Sequence, residues 1–245
     1  MSIRIAGLLI ALLSFPSVGL AQDAPPPPRH ETTAEFALVG VSGNASTTTV
    51  GLGYETIARP GTWVFRHRLT FVRNESEGIK TAQALLYTPR VEKVINSRVS
   101  AFGEYAYFRD RFAGVANRNS LSAGFVLTAV NSARQKLTAD LGVGYLKETR
   151  LAGANISSAT WGTGTLYVLT LSDTSELSDD LGIVGTFDNG DDWRLDHTIA
   201  LTAKVTSAVS LKVSNAVRFS NFPAPGFKKT DTVTSVALVA SFKRQ

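Results

Sequence analysis

The feature that most constrains the fold is a regular alternation of apolar residues with small or polar ones. One clear run covers 136–147, where an apolar set alternates with a small or polar set: Leu137, Ala139, Leu141, Val143 and Tyr145 against Lys136, Thr138, Asp140, Gly142 and Gly144. Further runs cover 47–56, 193–205, 209–220 and 235–242. A period of two is typical of β-strands, and no segment after Thr33 repeats apolar residues at helical spacing. The sequence therefore predicts an all-β fold.

Turn-forming residues separate these runs at nearly regular spacing. Ten breaks can be read along the chain: "SGNAS" at 42, "ARPGT" at 58, "NESEG" at 74, "RFAGVAN" at 111, "NSAR" at 131, "LAGAN" at 151, "LSDTSE" at 171, "DNGDD" at 188, "TSAVS" at 206 and "FPAPG" at 222. Glycine, proline, asparagine and aspartate supply turn geometry. Counting the runs predicts about twelve strands joined as hairpins, with the weakest alternation near 79–88 and 159–170.

The chemistry of the two faces favours a membrane barrel over a soluble sandwich. The non-apolar face carries mostly glycine, serine, threonine and alanine, whereas a face in water would carry many long charged side chains. Aromatic residues form two girdles on the apolar face: Phe36, Tyr54, Trp63, Phe65 and Phe242 near one end, and Phe71, Tyr107, Tyr145, Trp193 and Phe219 near the other. Such girdles are typical of transmembrane barrels, whose sheet must close. We expect residues 33–242 to form a closed antiparallel transmembrane β-barrel of about twelve strands with up-and-down hairpin topology.

The N-terminal residues predict export. Arg4 precedes an apolar run that ends at Leu13, and Ala21 offers a small residue for cleavage, which is the pattern of a secretory signal peptide over 1–21. The proline-rich stretch "DAPPPPRHETT" follows, and predicts a periplasmic linker over 22–32. The chain has no cysteine, so disulfides and thiolate sites are excluded. Its net charge of +5 comes from scattered basic residues, and we expect no binding of nucleic acid.

Charged residues on the non-apolar parity are the candidate lining of the lumen. The principal candidates are Glu55, Arg66, Arg68, Glu104, Asp140, Arg194, Asp196, Lys204, Lys212 and Arg218, and the same parity adds Glu35, Lys136, Asp180 and Asp188. The two signs balance. Opposite charges in a narrow lumen pair with one another, which predicts a structural network, whereas rings of one sign would set the selectivity of a pore. The balance favours a narrow or largely filled barrel over an open one.

Two other chemistries have only partial support in the sequence. A lipid-modifying enzyme of the phospholipase or acyltransferase kind would need a serine and a polar group beside His67 or His197, and no serine lies two residues from either. The stretch "FDNGDDWR" at 187–194 offers oxygen ligands for calcium but lacks the spacing of a calcium loop. A plain hairpin tip is the simpler interpretation. We therefore predict no catalytic residue, no cofactor and no metal.

Three stretches resemble a known family. They are "VSGNASTTTVGLGYE" from 41, "YFRDRF" at 107–112 and the segment from 201 to 242, with Pro223, Pro225, Gly226, Lys229, Thr230, Asp231 and Thr232 as its most specific theme. The chain resembles salt-induced outer membrane proteins, which are barrels defined by a domain of unknown function. The resemblance implies a barrel and a link to salt or osmotic conditions, and it brings no catalytic residues.

These observations predict a protein of the bacterial outer membrane. Its expected role is envelope-structural or that of a small-solute or ion channel, with the lipid-modifying enzyme as the alternative. Phe242, outward near the end of the last strand, resembles the signal by which such barrels are recognised for insertion. The expected partners are outer-membrane lipid, lipopolysaccharide and the barrel-insertion machinery, and the sequence identifies no small-molecule partner.

Overall fold

The computed structural model describes residues 27–41 and 47–244, and these residues form twelve strands. The strands are β1 His30–Val41, β2 Thr47–Ala58, β3 Trp63–Ser76, β4 Ile79–Val94, β5 Val99–Asp110, β6 Val115–Asn131, β7 Gln135–Arg150, β8 Ile156–Ser172, β9 Ser175–Thr186, β10 Trp193–Lys204, β11 Val209–Ser220 and β12 Thr230–Arg244. A 3-10 helix of one turn, Arg111–Ala113, follows β5. Over the described part of the chain, no helix is both long and apolar enough to cross a membrane.

The sheet closes on itself. Each strand pairs in antiparallel fashion with the strand before it and the strand after it, and β1 completes the ring by pairing with β12, with Ala34 opposite Ala240. Closure leaves no strand edge unpaired, which a lipid-exposed sheet requires. The predicted fold class, a closed antiparallel transmembrane β-barrel of twelve strands, is confirmed.

An even number of strands brings both chain ends to one end of the barrel, which we call the terminal end. The connections there are 59–62, 95–98, 132–134, 173–174 and 205–208, and those at the opposite, far end are 77–78, 111–114, 151–155, 187–192 and 221–229. The predicted signal peptide over 1–21 and the predicted turn at 42–46 lie outside the described residues, as does the linker up to residue 26.

The alternation read from the sequence separates the outer face from the interior. On β6 and β7 the apolar residues stand on the outer face, where Leu121 is 65% exposed and Leu141 is 67% exposed. Their neighbours on the inner parity are small. Gly142 leaves room for the ring of Phe102, because a Cβ added at Gly142 would lie 3.1 Å from Phe102 Cζ. Small inner residues thus let a few large side chains reach into the lumen.

Several boundaries differ from the sequence-based expectation. The strands with weak alternation are longer than 79–88 and 159–170, and β1 begins at His30, inside the stretch expected to be linker. The connection 95–98 was not among the ten predicted breaks. It has neither glycine nor proline, and the side chain of Asn96 makes the turn instead, since its Oδ1 accepts from the backbone N–H groups of Arg98 and Val99, both at 2.9 Å.

Candidate functional site in the barrel interior

The barrel interior holds a network of ion pairs at mid-height. Glu55 of β2 lies between two arginines of β3, with its carboxylate oxygens 3.3 Å from Arg66 Nε and 3.1 Å from Arg68 Nε. The register places Glu55 directly opposite Arg68, so the two side chains leave the sheet on the same face. Part of the charge on β2 and β3 is therefore neutralised between these neighbouring strands, without any contact across the lumen.

Arg68 also reaches across the barrel. Its Nη1 lies 3.8 Å from Asp180 Oδ2 on β9. In a ring of twelve strands β3 and β9 are six strands apart, and so stand on opposite walls. A single arginine and a single aspartate thus bridge the full width of the lumen.

Arg90 of β4 is the centre of a second group of charges. It lies 2.8 Å from Glu92, 3.2 Å from Glu104 and 3.6 Å from Asp140, and its side chain is only 10% exposed. Its guanidinium stacks over the ring of Phe102 at 3.9 Å from the ring centroid. We call the eight charges of these groups the central network: Glu55, Arg66, Arg68, Arg90, Glu92, Glu104, Asp140 and Asp180. Five acids against three arginines give the central network itself an excess of negative charge.

A second contact crosses the lumen nearer the far end. The guanidinium of Arg218, on β11, lies 5.4 Å from the ring centroid of Phe108, on β5, and these strands also stand on opposite walls. Arg118 contacts the same ring at 5.2 Å. Arg218 Nε lies 3.8 Å from Asp196, its cross-strand neighbour. The aromatic ring thus receives a cation from each side of the lumen.

A more deeply buried cluster lies at the far end, and we call it the mouth cluster: Arg118, Glu148, Arg150, Asp192 and Arg194. Glu148, 2% exposed, lies 2.6 Å from Arg118 Nε, 2.7 Å from Arg150 Nε and 3.6 Å from Arg194 Nη2. Arg194 Nη2 is 3.0 Å from Asp192 Oδ1, close enough for an ion pair, but the angles do not make a hydrogen bond. Burial raises the pKa of the Asp192 carboxyl, and the neighbouring Arg194 guanidinium opposes that rise.

The connection 221–229 folds over the mouth cluster. Arg150 Nη2 donates to the carbonyl oxygen of Phe222 at 2.8 Å, and Ala224 is buried. The connection packs on Gly114, whose φ of +80° favours glycine. A Cβ added at Gly114 would lie 2.7 Å from Phe227 Cδ2 and 2.8 Å from Ala224 Cβ. This segment from the β11–β12 hairpin therefore reaches the β5–β6 connection on the opposite wall.

The structure brings most of the sequence-predicted residues into these groups. Glu55, Arg66, Arg68, Glu104 and Asp140 belong to the central network, Arg194 to the mouth cluster, and Asp196 to the pair with Arg218. Lys212 pairs with Glu35 at 2.7 Å.

Two predicted residues lie elsewhere. Lys204 stands at the terminal end, where its Nζ donates to the carbonyl oxygen of Asp173. The assignment of Asp188 to the inner wall was wrong, because it is exposed in the connection 187–192 and belongs to no strand.

Sequence reasoning missed Arg90, Glu92, Arg118, Glu148 and Arg150. Arg90 and Glu92 follow residue 88, where the predicted strand ended, and Glu148 and Arg150 follow the alternating run 136–147. Extending the same parity by four residues in each strand would have placed Arg90, Glu92, Glu148 and Arg150 on the inner face.

Comparisons with known proteins identify a family and structures of similar fold. A family profile described as "Protein of unknown function, DUF481" matches residues 34–242. An outer membrane channel from Pseudomonas putida F1 has a TM-score of 0.50 and 12% identity, covering 93% of this chain and all of that one. The NanC porin has a TM-score of 0.46 and 7% identity, covering 88% of this chain and 99% of that one. At 12% identity, the likeness to the Pseudomonas channel concerns the fold alone. No curated protein matches the sequence.

Proposed function

The chain belongs to the DUF481 family of proteins of unknown function, and from that premise we propose that it is a narrow channel for small solutes in a bacterial outer membrane. The observation that carries the proposal is the bridge between Arg68 and Asp180 on opposite walls of a closed barrel. It gives the barrel a charged, polar interior, which is typical of barrels that hold water. It also narrows that interior to the space that paired side chains leave.

The number of strands also supports a narrow lumen. Barrels of about eight strands have interiors that side chains fill, whereas those of about sixteen leave a wide aqueous channel. Twelve strands lie between these limits. With the central network and the mouth cluster in place, we expect small ions and small polar solutes to pass and larger ones to be excluded.

We propose that the barrel lies in the outer membrane with both chain ends in the periplasm. The far end with its mouth cluster then faces the outside of the cell. Outer-membrane lipid and lipopolysaccharide would surround the apolar outer face, and the insertion machinery would recognise Phe242, which is exposed on that face at the end of β12.

We also propose that the protein supports growth under salt or osmotic stress. A deletion strain should then grow more slowly than its parent at high osmolarity, and equal growth would contradict this role.

The contacts of the two barrel histidines do not favour the enzyme alternative. His67 Nδ1 lies 3.1 Å from the Tyr87 hydroxyl, and His197 Nε2 lies 3.1 Å from Asp179 Oδ2. The cross-strand neighbours of His197 are Leu181 and Val217. Acyl transfer through a serine needs that hydroxyl within hydrogen-bond reach of the histidine. Among the described contacts of these two histidines, a serine does not occur.

Solute flux into proteoliposomes tests the channel. Vesicles carrying the folded barrel should equilibrate small solutes such as glycine faster than protein-free vesicles of the same lipid, while a trisaccharide should stay excluded from both. Free entry of the trisaccharide would contradict a narrow lumen. No flux above the protein-free vesicles for any solute would favour the envelope-structural role instead.

A further inference from the structure

Two consecutive aspartates, Asp179 and Asp180, lie inside β9. Because successive residues of a strand point to opposite faces, one of the two must stand on the outer face of the barrel. Asp180 points into the lumen, where it meets Arg68. Asp179 therefore points outward, and its cross-strand neighbours Tyr167 and Ile199 have the same outward parity.

Asp179 has a hydrogen-bonding partner on the same outer face. Its Oδ2 lies 3.1 Å from Nε2 of His197 on β10. The two side chains are 40% and 35% exposed, so neither is covered by the barrel itself. On the next two strands, Asn215 Nδ2 donates to Thr234 Oγ1 at 2.8 Å.

The strand register joins these pairs into one surface. Asp179, Ile199, Asn215 and Thr234 lie side by side across β9, β10, β11 and β12. His197 is on the same face, two positions from Ile199. We call Asp179, His197, Asn215 and Thr234 the polar row.

The polar row lies within the height of the apolar band rather than at a rim. Asp179 is the fifth residue of β9 counted from the terminal end, and His197 is the fifth of β10 counted from the far end. At ~3.3 Å per residue, each is roughly 13 Å along its strand from the nearer strand end. With strands tilted by roughly 40° and an apolar band ~25 Å tall, both positions face the hydrocarbon.

Other parts of the outer face show what an ordinary lipid-facing wall looks like in this chain. On β6 and β7 the outward positions at similar height are Phe125, Leu141 and Val143, each more than 60% exposed. Hydrocarbon offers no hydrogen-bond partner, so ionisable side chains that face it are costly and generally mark a contact or a pathway. The extent of the polar row, four residues across four strands, therefore favours an occupant that offers hydrogen-bond partners over acyl chains.

We propose that the polar row is the surface on which a second copy of this chain binds in the membrane. Copies related by rotation about the membrane normal keep each residue at its own depth. The Asp179 carboxylate and the His197 imidazole are 3.1 Å apart and so lie at nearly the same depth, which allows each to meet the opposite member of the pair in the other copy. This pair is therefore complementary to itself in hydrogen bonding. Polar contacts are also the kind that associate membrane-spanning elements, because no hydrophobic driving force acts between them in lipid. The pairing depends on the membrane location but not on whether the lumen conducts.

Cysteine cross-linking in native outer membranes tests the proposal, and the chain offers a clean background because it has no cysteine. Ile199→Cys and Val217→Cys place a thiol beside the polar row, and Leu141→Cys places one on the apolar wall of β7. On mild oxidation, at least one of the first two variants should give a band of twice the chain mass, and Leu141→Cys should give none.

A second comparison identifies the residues responsible. Replacing both partners, Asp179→Leu with His197→Leu, avoids leaving one charge alone and should abolish the dimer band in the cross-linking background. The matched control is His67→Leu with Tyr87→Phe, which removes another outward hydrogen-bonded pair on β3 and β4, on the opposite wall. The control should keep the dimer band.

Three results would overturn the proposal. In the first, neither thiol beside the polar row gives a dimer band although the barrel folds normally. In the second, these thiols and Leu141→Cys give equal bands, and in the third the dimer band survives the loss of Asp179 and His197. Capture of lipid or of a different protein by the thiols, without the dimer, would assign the row to that occupant and so count against self-association.

Discussion

Two ion pairs of equal length but different burial allow a direct test of how the mouth cluster is stabilised. Arg118 Nε lies 2.6 Å from Glu148, and Arg73 Nη2 lies 2.6 Å from Glu75. Glu148 is 2% exposed, whereas the side chain of Glu75 is 32% exposed. The same substitution, glutamate to glutamine, removes the charge at either place with almost no change in volume.

The expected costs differ because the surroundings differ. Breaking a buried ion pair by removing one partner costs about 3–5 kcal/mol. Glu148→Gln leaves Arg118, Arg150 and Arg194 with Asp192 as their remaining acid in the mouth cluster, so we expect a loss near the lower end, about 3 kcal/mol. Glu75→Gln breaks an exposed pair that solvent screens, and we expect a loss of no more than about 1 kcal/mol.

Equilibrium unfolding in urea, with the barrel folded into lipid vesicles, measures both losses against wild type. The unfolding curve of Glu148→Gln should move to clearly lower urea, and that of Glu75→Gln should stay close to wild type. Equal shifts for the two variants, or a loss below about 1 kcal/mol for Glu148→Gln, would refute the claim that burial decides the strength of these pairs.

Three further predictions concern the mouth, the orientation and insertion. Gly114→Ala and Gly78→Ala place an alanine at nearly the same positive φ, but only Gly114 faces Phe227. Both variants should therefore lose stability, whereas protease should cut the connection 221–229 faster in Gly114→Ala alone. Epitope tags in 221–229 should be labelled on intact cells and tags in 173–174 only after permeabilisation, and the reverse pattern would contradict the orientation. Phe242→Ala should lower the yield of folded barrel in the outer membrane more than Leu238→Ala, another outward change on β12; equal yields would remove the special role of Phe242.

The fold could be predicted from the sequence because a barrel repeats one local rule twelve times. Alternation marks each strand, and glycine, proline, asparagine or aspartate marks most connections. The exception, 95–98, turns through the side chain of Asn96, which gives a weaker signal than glycine or proline. Arg90 and Glu148, which were not predicted as lumen residues, lie just beyond the alternating runs read from the sequence. There the strands continue with the same inward and outward alternation, although apolar residues become sparse.

The candidate site could be predicted only in part. The parity assigned Glu55 and Arg68 to one face, and the structure pairs them across adjacent strands. The partner of Arg68 on the opposite wall depends on the number of strands and on their tilt, which no local pattern contains. The same limit applies to Gly114, whose contact with Phe227 joins segments more than a hundred residues apart.

The central claim is that the barrel is a channel narrowed by side chains that bridge its walls. The most direct test is the current through single molecules in a planar bilayer. Wild type should show a small conductance. Arg68→Ser removes the bridge to Asp180 and should raise the conductance and shift selectivity toward cations, because the acids of the central network then outnumber its arginines further. Arg134→Ser, the same change at an exposed position in a turn at the terminal end, should alter neither. A large wild-type conductance that Arg68→Ser leaves unchanged would contradict the account.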